Sequence, residues 1–125
     1  MTKVLGRSFF NRPTLVVARD LLGKFLVRQH KGKEISLMIT EVEAYDGLKD
    51  KASHAHAGRT KRNEVMFGEA GHWYVYFTYG MHWMLNVVVG PKGYPAAVLI
   101  RGAGGISGPA RITKNLKINK SLNGK

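Results

Sequence analysis

Ile39-Thr-Glu-Val-Glu-Ala-Tyr45 and, farther on, Tyr74-Val-Tyr-Phe-Thr-Tyr-Gly-Met81 decide how this chain is read. Strand side chains alternate, so the first stretch predicts Ile39, Glu41, Glu43 and Tyr45 on one face and Thr40, Val42 and Ala44 on the other. An acid and an aromatic ring then look the same way. Acidic residues are depleted in strands, and local rules tend to be broken at working sites. Glu43 beside stacking rings, in a strongly basic chain, points to chemistry on a flat, nucleotide-like substrate.

The length of 125 residues predicts one domain, 1–125, large enough for a hydrophobic core without disulfide or metal support. Twenty Lys and Arg against eight Asp and Glu give a formal charge of +12. Such a charge is the usual footprint of a polyanion partner, although charge alone fixes neither partner nor site. The chain has no cysteine, which removes disulfides, thiol nucleophiles and thiolate metal sites and suits a reducing compartment. Met1-Thr-Lys-Val-Leu-Gly-Arg7 lacks the apolar core of a signal peptide, and the apolar stretches Trp73–Phe77 and Val87–Val89 are far shorter than a membrane helix. A cytoplasmic protein without membrane contact is expected, nucleoid-associated in a bacterium or nuclear in a eukaryote.

Outward from the two key stretches, residues 11–23 predict a short amphipathic helix. Asn11 is the candidate N-cap, Pro13 stands in the first turn, Gly23 is the stop, and Leu15, Ala18 and Leu22 with Val16 form the buried stripe. Lys24 to Gln29 and Glu34 to Tyr45 read as strands around a His30-Lys-Gly-Lys33 turn. Asp46 to Gly71 shows no sustained period and reads as a long loop with one helical turn, the kind that is functional or disordered. Trp73 to Tyr79 and His82 to Val89 pair around Gly80, and Ala96 to Arg101 adds a third strand of a mainly antiparallel sheet. Gly102 to Gly108 reads as flexible, Pro109 to Ile118 as a short helix, and Asn119 to Lys125 as an end with little to bury.

Gly102-Ala-Gly-Gly-Ile-Ser-Gly108 is not a phosphate loop: Ser107 stands where a dinucleotide fingerprint needs glycine, and no Lys-Ser or Lys-Thr pair closes a Walker motif. No cofactor is expected. His54-Ala-His56 has no further ligands at a familiar spacing, so a structural or DNA-facing pair is favoured over a metal site. Tyr74, Tyr76 and Tyr79 read singly as sheet packing, but Tyr79 falls at a hairpin tip, where a ring is exposed. A turn centred on Met81 sets Tyr76 directly across from Asn86. That amide, in a strand otherwise reading Met-Leu-Asn-Val-Val-Val, either satisfies backbone or lines a pocket that rejects an extra exocyclic group.

Ala18-Arg-Asp-Leu-Leu-Gly-Lys24, Thr40-Glu-Val-Glu-Ala-Tyr45, Arg62-Asn63 with Met66-Phe67, Tyr74 to Met81, Asn86, Leu99-Ile-Arg101 and Gly108-Pro109 together resemble the 3-methyladenine (alkyladenine) DNA glycosylases. The match runs from Leu5 to about Asn123. The resemblance implies an α+β fold around a curved, mainly antiparallel sheet with short flanking helices. It implies a monofunctional base-excision repair hydrolase that flips and removes alkylated or deaminated purines, such as 3-methyladenine and hypoxanthine, from double-stranded DNA. A monomer is expected.

By matching position, the resemblance makes Glu43 the general base and Arg101 a helper near the catalytic water and the target phosphate. It makes Tyr45, His54 and Tyr76 the walls around the flipped base. Tyr79 becomes the wedge that fills the gap in the duplex, and Asn86 the residue that excludes guanine. Arg59, Lys61 and Arg62 become phosphate contacts, with the lysines after Arg111 beside them. Family members carry an acidic-apolar stretch and a helix between the Arg101 strand and Gly108-Pro109, and continue several dozen residues past Asn119-Lys-Ser-Leu-Asn123. This chain therefore resembles a C-terminally shortened form, with a sheet edge left open. The alternative function is a basic DNA-binding module without turnover.

Overall fold

Pro13 sets the start of the first substantial helix. Arg7–Phe10 makes a single turn, α1, closed by Asn11 N–H on the Arg7 carbonyl, and Thr14–Leu21 forms α2, whose first carbonyl acceptor is Pro13. Asn11 therefore ends α1 and does not cap α2. The buried stripe is Thr14, Val17, Ala18 and Leu21, at the i, i+3, i+4, i+7 spacing of a helical face. Of the stripe expected from sequence only Ala18 is buried; Leu15 is 62% exposed, Val16 40% and Leu22 46%. The apolar run from 15 to 22 fits either rotation, and the choice is pinned from outside. Thr14 donates its hydroxyl to Asp46 at 2.8 Å, turning that side of the helix inward.

The computed structural model describes residues 4–47, 58–61, 63–78 and 80–125. Gly23, at a φ of +89° open to glycine, ends α2 and donates to the Ile39 carbonyl, so the helix turns directly into the sheet. β1 (Phe25–His30) and β2 (Lys33–Asp46) form a hairpin through Lys31 and Gly32, both at positive φ, the geometry of a two-residue turn that follows strand twist. After the 3₁₀ turn Glu64–Phe67 come β3 (Trp73–Phe77), β4 (Trp83–Val88), β5 (Ala96–Ala103) and β6 (Ile106–Ser107). The strand order is β1-β2-β5-β4-β3 with β6 on β5, every pairing antiparallel. With its short helices this is an α+β fold around a curled antiparallel sheet.

Two sequence expectations are corrected along β2 and β5. Ile39 does not share a face with Glu43: it lies in the main core with Val42 and Ala44. The register slips on both sides of Glu41, and this irregularity inverts the alternation, so the strand changes face between Ile39 and Val42. Gly102 to Gly108 is not a flexible run. β5 continues to Ala103 and turns through Gly104 and Gly105, at φ of +56° and +83°, into β6.

One sheet face carries the core, where α2 and α3 (Pro109–Leu116) meet Leu26, Val75, Leu85, Val87, Val98 and Ile100. α3 buries Ile112, Thr113 and Leu116. Arg28 on β1 caps the far end of α3, its Nε donating to the Leu116 carbonyl at 3.0 Å and Nη2 to Lys117 at 3.2 Å. That charge sits where the helix dipole favours a cation and satisfies carbonyls with no helical partner. The chain end is also docked, contrary to the sequence expectation. Gly124 N–H bonds the Trp73 carbonyl at 2.8 Å, and Asn123 Oδ1 accepts from Val75 N–H at 2.9 Å, so these residues cover part of the β3 edge.

Candidate active site

The other face of the sheet collects the predicted chemistry. Glu43 pairs with Leu99, Leu99 with Asn86, and Asn86 with Tyr74, so four side chains from β2, β5, β4 and β3 stand in one line across the sheet. Residues directly opposite share a face, and so do residues two apart on a strand. Tyr45, Arg101 and Tyr76 therefore join that face beside Glu43, Leu99 and Tyr74.

Glu43 is held at both oxygens. Tyr45 donates its hydroxyl to Oε1 at 2.7 Å, and Arg101 donates Nη1 to Oε2 at 2.8 Å. Both members of the ion pair are about two-fifths exposed, so the pair contributes little to stability, about 0–1 kcal/mol, and serves mainly to fix geometry. Burial raises the Tyr45 phenol far above its ordinary value. The hydrogen bond to Glu43 and the nearby Glu43 charge push it further, and Arg101 opposes the rise. The phenol remains a proton donor at any physiological pH.

Glu41 lies at the register shift with its carboxylate over Gly102, where a Cβ would collide with it, and it accepts from Ser107 Oγ at 3.1 Å. This contact ties β6 to β2 around the end of the strand that carries Arg101.

Asn86 is 1% exposed and donates Nδ2 to the Tyr74 carbonyl at 3.2 Å. The backbone-satisfying role is realised, on the face that also holds Glu43. Its cross-strand partner is Tyr74, whereas Tyr76 faces Met84, two residues from the expected register because the turn centres on Gly80. A shift of two preserves the face, so Tyr76 and Asn86 still look the same way. The Tyr74 and Tyr76 rings lie 5.4 Å apart at 38°. Beneath them Met66, with Val65 and Phe67, packs against Tyr74, Val88 and Ala97 in a small second cluster.

Arg59 sits over the Phe67 ring at 5.6 Å, within cation–π range, which links this exposed cation to the ring cluster on the same face. Lys61 is exposed on the same segment. Asn63, almost fully buried, knots the segment: Oδ1 accepts from Thr60 N–H at 2.7 Å and Nδ2 donates to the Gly58 carbonyl at 3.0 Å. His54, Arg62 and Tyr79 lie outside the described residues. Among the described residues no three His, Asp or Glu side chains cluster as metal ligands.

Sequence reasoning missed the Tyr45 hydroxyl as a Glu43 partner, the Glu41–Ser107 bond and the Asn63 knot. The first was within reach, because residues two apart on a strand share a face. The second depends on β6, a strand too short to show a period. Nothing local marked the third.

A methylpurine-DNA glycosylase family model matches residues 8–106. Relatives named "Putative 3-methyladenine DNA glycosylase" include one from Methanocella arvoryzae, 48% identical over 141 residues, covering 97% of this chain and 70% of the relative. One from Streptomyces avermitilis is 48% identical, covering 96% of this chain and 66% of the relative. One from Wolbachia pipientis wMel is 50% identical over 127 residues, covering 96% and 68%. The chain belongs to the methylpurine-DNA glycosylase family. An alignment of 141 residues exceeds the 125 of this chain, so the Methanocella relative holds residues within the matched region that this chain lacks.

Proposed function

We propose that this protein excises alkylated or deaminated purines, 3-methyladenine and hypoxanthine among them, from double-stranded DNA, with Glu43 as general base. The observation that carries the reading is the Glu43 carboxylate, partly exposed, held by Tyr45 on one oxygen and Arg101 on the other, in line with Asn86 on one sheet face. Glu43 takes a proton from a water as the water oxygen bonds to C1′, and the electrons of the C1′–N bond leave with the base. An alkylated purine departs readily because alkylation has already made it cationic; hypoxanthine takes up a proton from solvent water as it leaves. A single carboxylate therefore serves, without the acid–base pair of ordinary glycosidases. Its negative charge also stabilises the oxocarbenium-like sugar.

A glycosidic bond within the duplex stack is out of reach of a carboxylate fixed on a strand. The nucleotide must leave the stack at a cost of a few kcal/mol, less where damage has weakened pairing. Stacking on aromatic rings, roughly 1–3 kcal/mol per base, offsets that cost. Tyr45, Tyr76 and His54 are the proposed walls, Tyr79 the wedge that replaces the flipped base, and Asn86 the group that excludes a 2-amino substituent. Arg101 supports the catalytic water, and Arg59, Lys61 and Arg62 hold phosphates. We assign the activity to a monomer working in the cytoplasm or on the nucleoid, or in a eukaryotic nucleus.

The test is release of free base from a hypoxanthine-containing duplex. Wild-type protein releases it; Glu43→Gln binds the same duplex and releases at least about 10²-fold more slowly, the lower range of general base catalysis. Salt-sensitive binding with no release by the wild type would instead establish the basic DNA-binding module.

A further inference from the structure

We propose that Tyr45 is a positioning residue for Glu43, acting through its hydroxyl as well as its ring. The inference rests on Glu43 being the base and gives Tyr45 a second role beside that of a wall. Glu43 and Tyr45 are two apart on β2, about 7 Å along a strand, so a tyrosine has the length to lean along the face and reach the carboxylate. The contact of 2.7 Å has the short length of a hydrogen bond to an anionic acceptor. Arg101 approaches the opposite oxygen from β5, so two donors from two strands fix the plane of the carboxylate. A carboxylate has about four acceptor sites, and two donors leave room for a water.

The phenol suits this task because its proton is retained across the working pH range. A ring that only stacked on a base would need no hydroxyl, and phenylalanine would serve equally. The charged and titratable groups that face the pair are Arg101 from β5 and Tyr76 from β3. Tyr45 and Arg101 donate to opposite oxygens, so Tyr45 adds to Arg101 in fixing how the carboxylate meets a water.

Tyr45→Phe separates the two roles, since it keeps the ring and removes one atom. Single-turnover release from a hypoxanthine duplex is expected to slow by about tenfold to a hundredfold, the worth of one hydrogen bond to a charged group. The dissociation constant for that duplex stays within about twofold, and the acidic limb of the rate profile moves to higher pH. An unchanged rate and profile, or a loss confined to duplex affinity, overturns the proposal. The second measurement needs no turnover: in ring-labelled protein the Tyr45 carbon that bears the hydroxyl is followed by NMR against pH. Ionisation above the ordinary tyrosine range, moving down in Glu43→Gln, supports the pair, and ordinary ionisation in the wild type overturns it. A wild type that releases no base overturns the catalytic assignment and this role together, while the NMR titration still shows whether the pair forms, so the two failures are distinguishable.

Discussion

Glu43 and Arg101 show why a half-exposed ion pair matters for placement more than for stability. With about two-fifths of each side chain in water, the pair is worth at most about 1 kcal/mol. Arg101→Ala is therefore expected to shift urea unfolding by no more than that while slowing base release by tenfold or more; equal losses in stability and rate would assign Arg101 to the fold. That Glu43 and Tyr45 share this face was legible from alternation alone. Ile39 was not, because the register shifts around Glu41 reverse the alternation and depend on how β5 pairs, a contact about sixty residues away in sequence. Asn86 was legible as an anomaly in an apolar strand, whereas its Tyr74 partner required the register.

The secondary-structure elements were readable to different degrees, for identifiable reasons. The β1–β2 hairpin announced itself through Lys31-Gly32 at the turn. α2 was found but rotated, since its apolar run supports two stripes and the Thr14–Asp46 bond selects one. The β3–β4 register missed by two because a loop of Thr78 to His82 can turn about either of two centres. The docked end was hidden in a polar sequence whose value lies in backbone bonds, not apolar burial. Asn123→Ala removes the acceptor for Val75 N–H and is expected to cost about 1 kcal/mol in urea unfolding. Hydrogen exchange at Val75 should quicken with it, and unchanged protection would mean that the segment does not cover that edge in solution.

For the whole molecule, a mainly antiparallel sheet follows from the alternating stretches and their turns, whereas the α+β class and the curve of the sheet follow from the family resemblance. The family follows from an ordered set of short motifs, not from any one of them. The charge of +12 agrees with a polyanion partner and names none. Alkaline pH tests the site network through stability. The Tyr45 phenol is raised chiefly by burial and then by Glu43, and the Tyr94 phenol chiefly by its hydrogen bond to Asp46. Both hold their protons longer folded than unfolded, so their contribution is complete below the ordinary tyrosine value of about 10 and is lost as pH rises beyond it. Urea midpoints should fall as the pH rises past about 10, and less steeply in Tyr45→Phe. The Methanocella, Streptomyces and Wolbachia relatives are longer, with this chain covering 70%, 66% and 68% of them. The proposed site nevertheless draws only on residues between Glu43 and Arg101. The most direct measurement is single-turnover release of hypoxanthine from duplex DNA by this 125-residue chain, beside Glu43→Gln. Release by the wild type, with the variant still bound but at least about a hundredfold slower, is the predicted result; equal release by both would contradict Glu43 as the base.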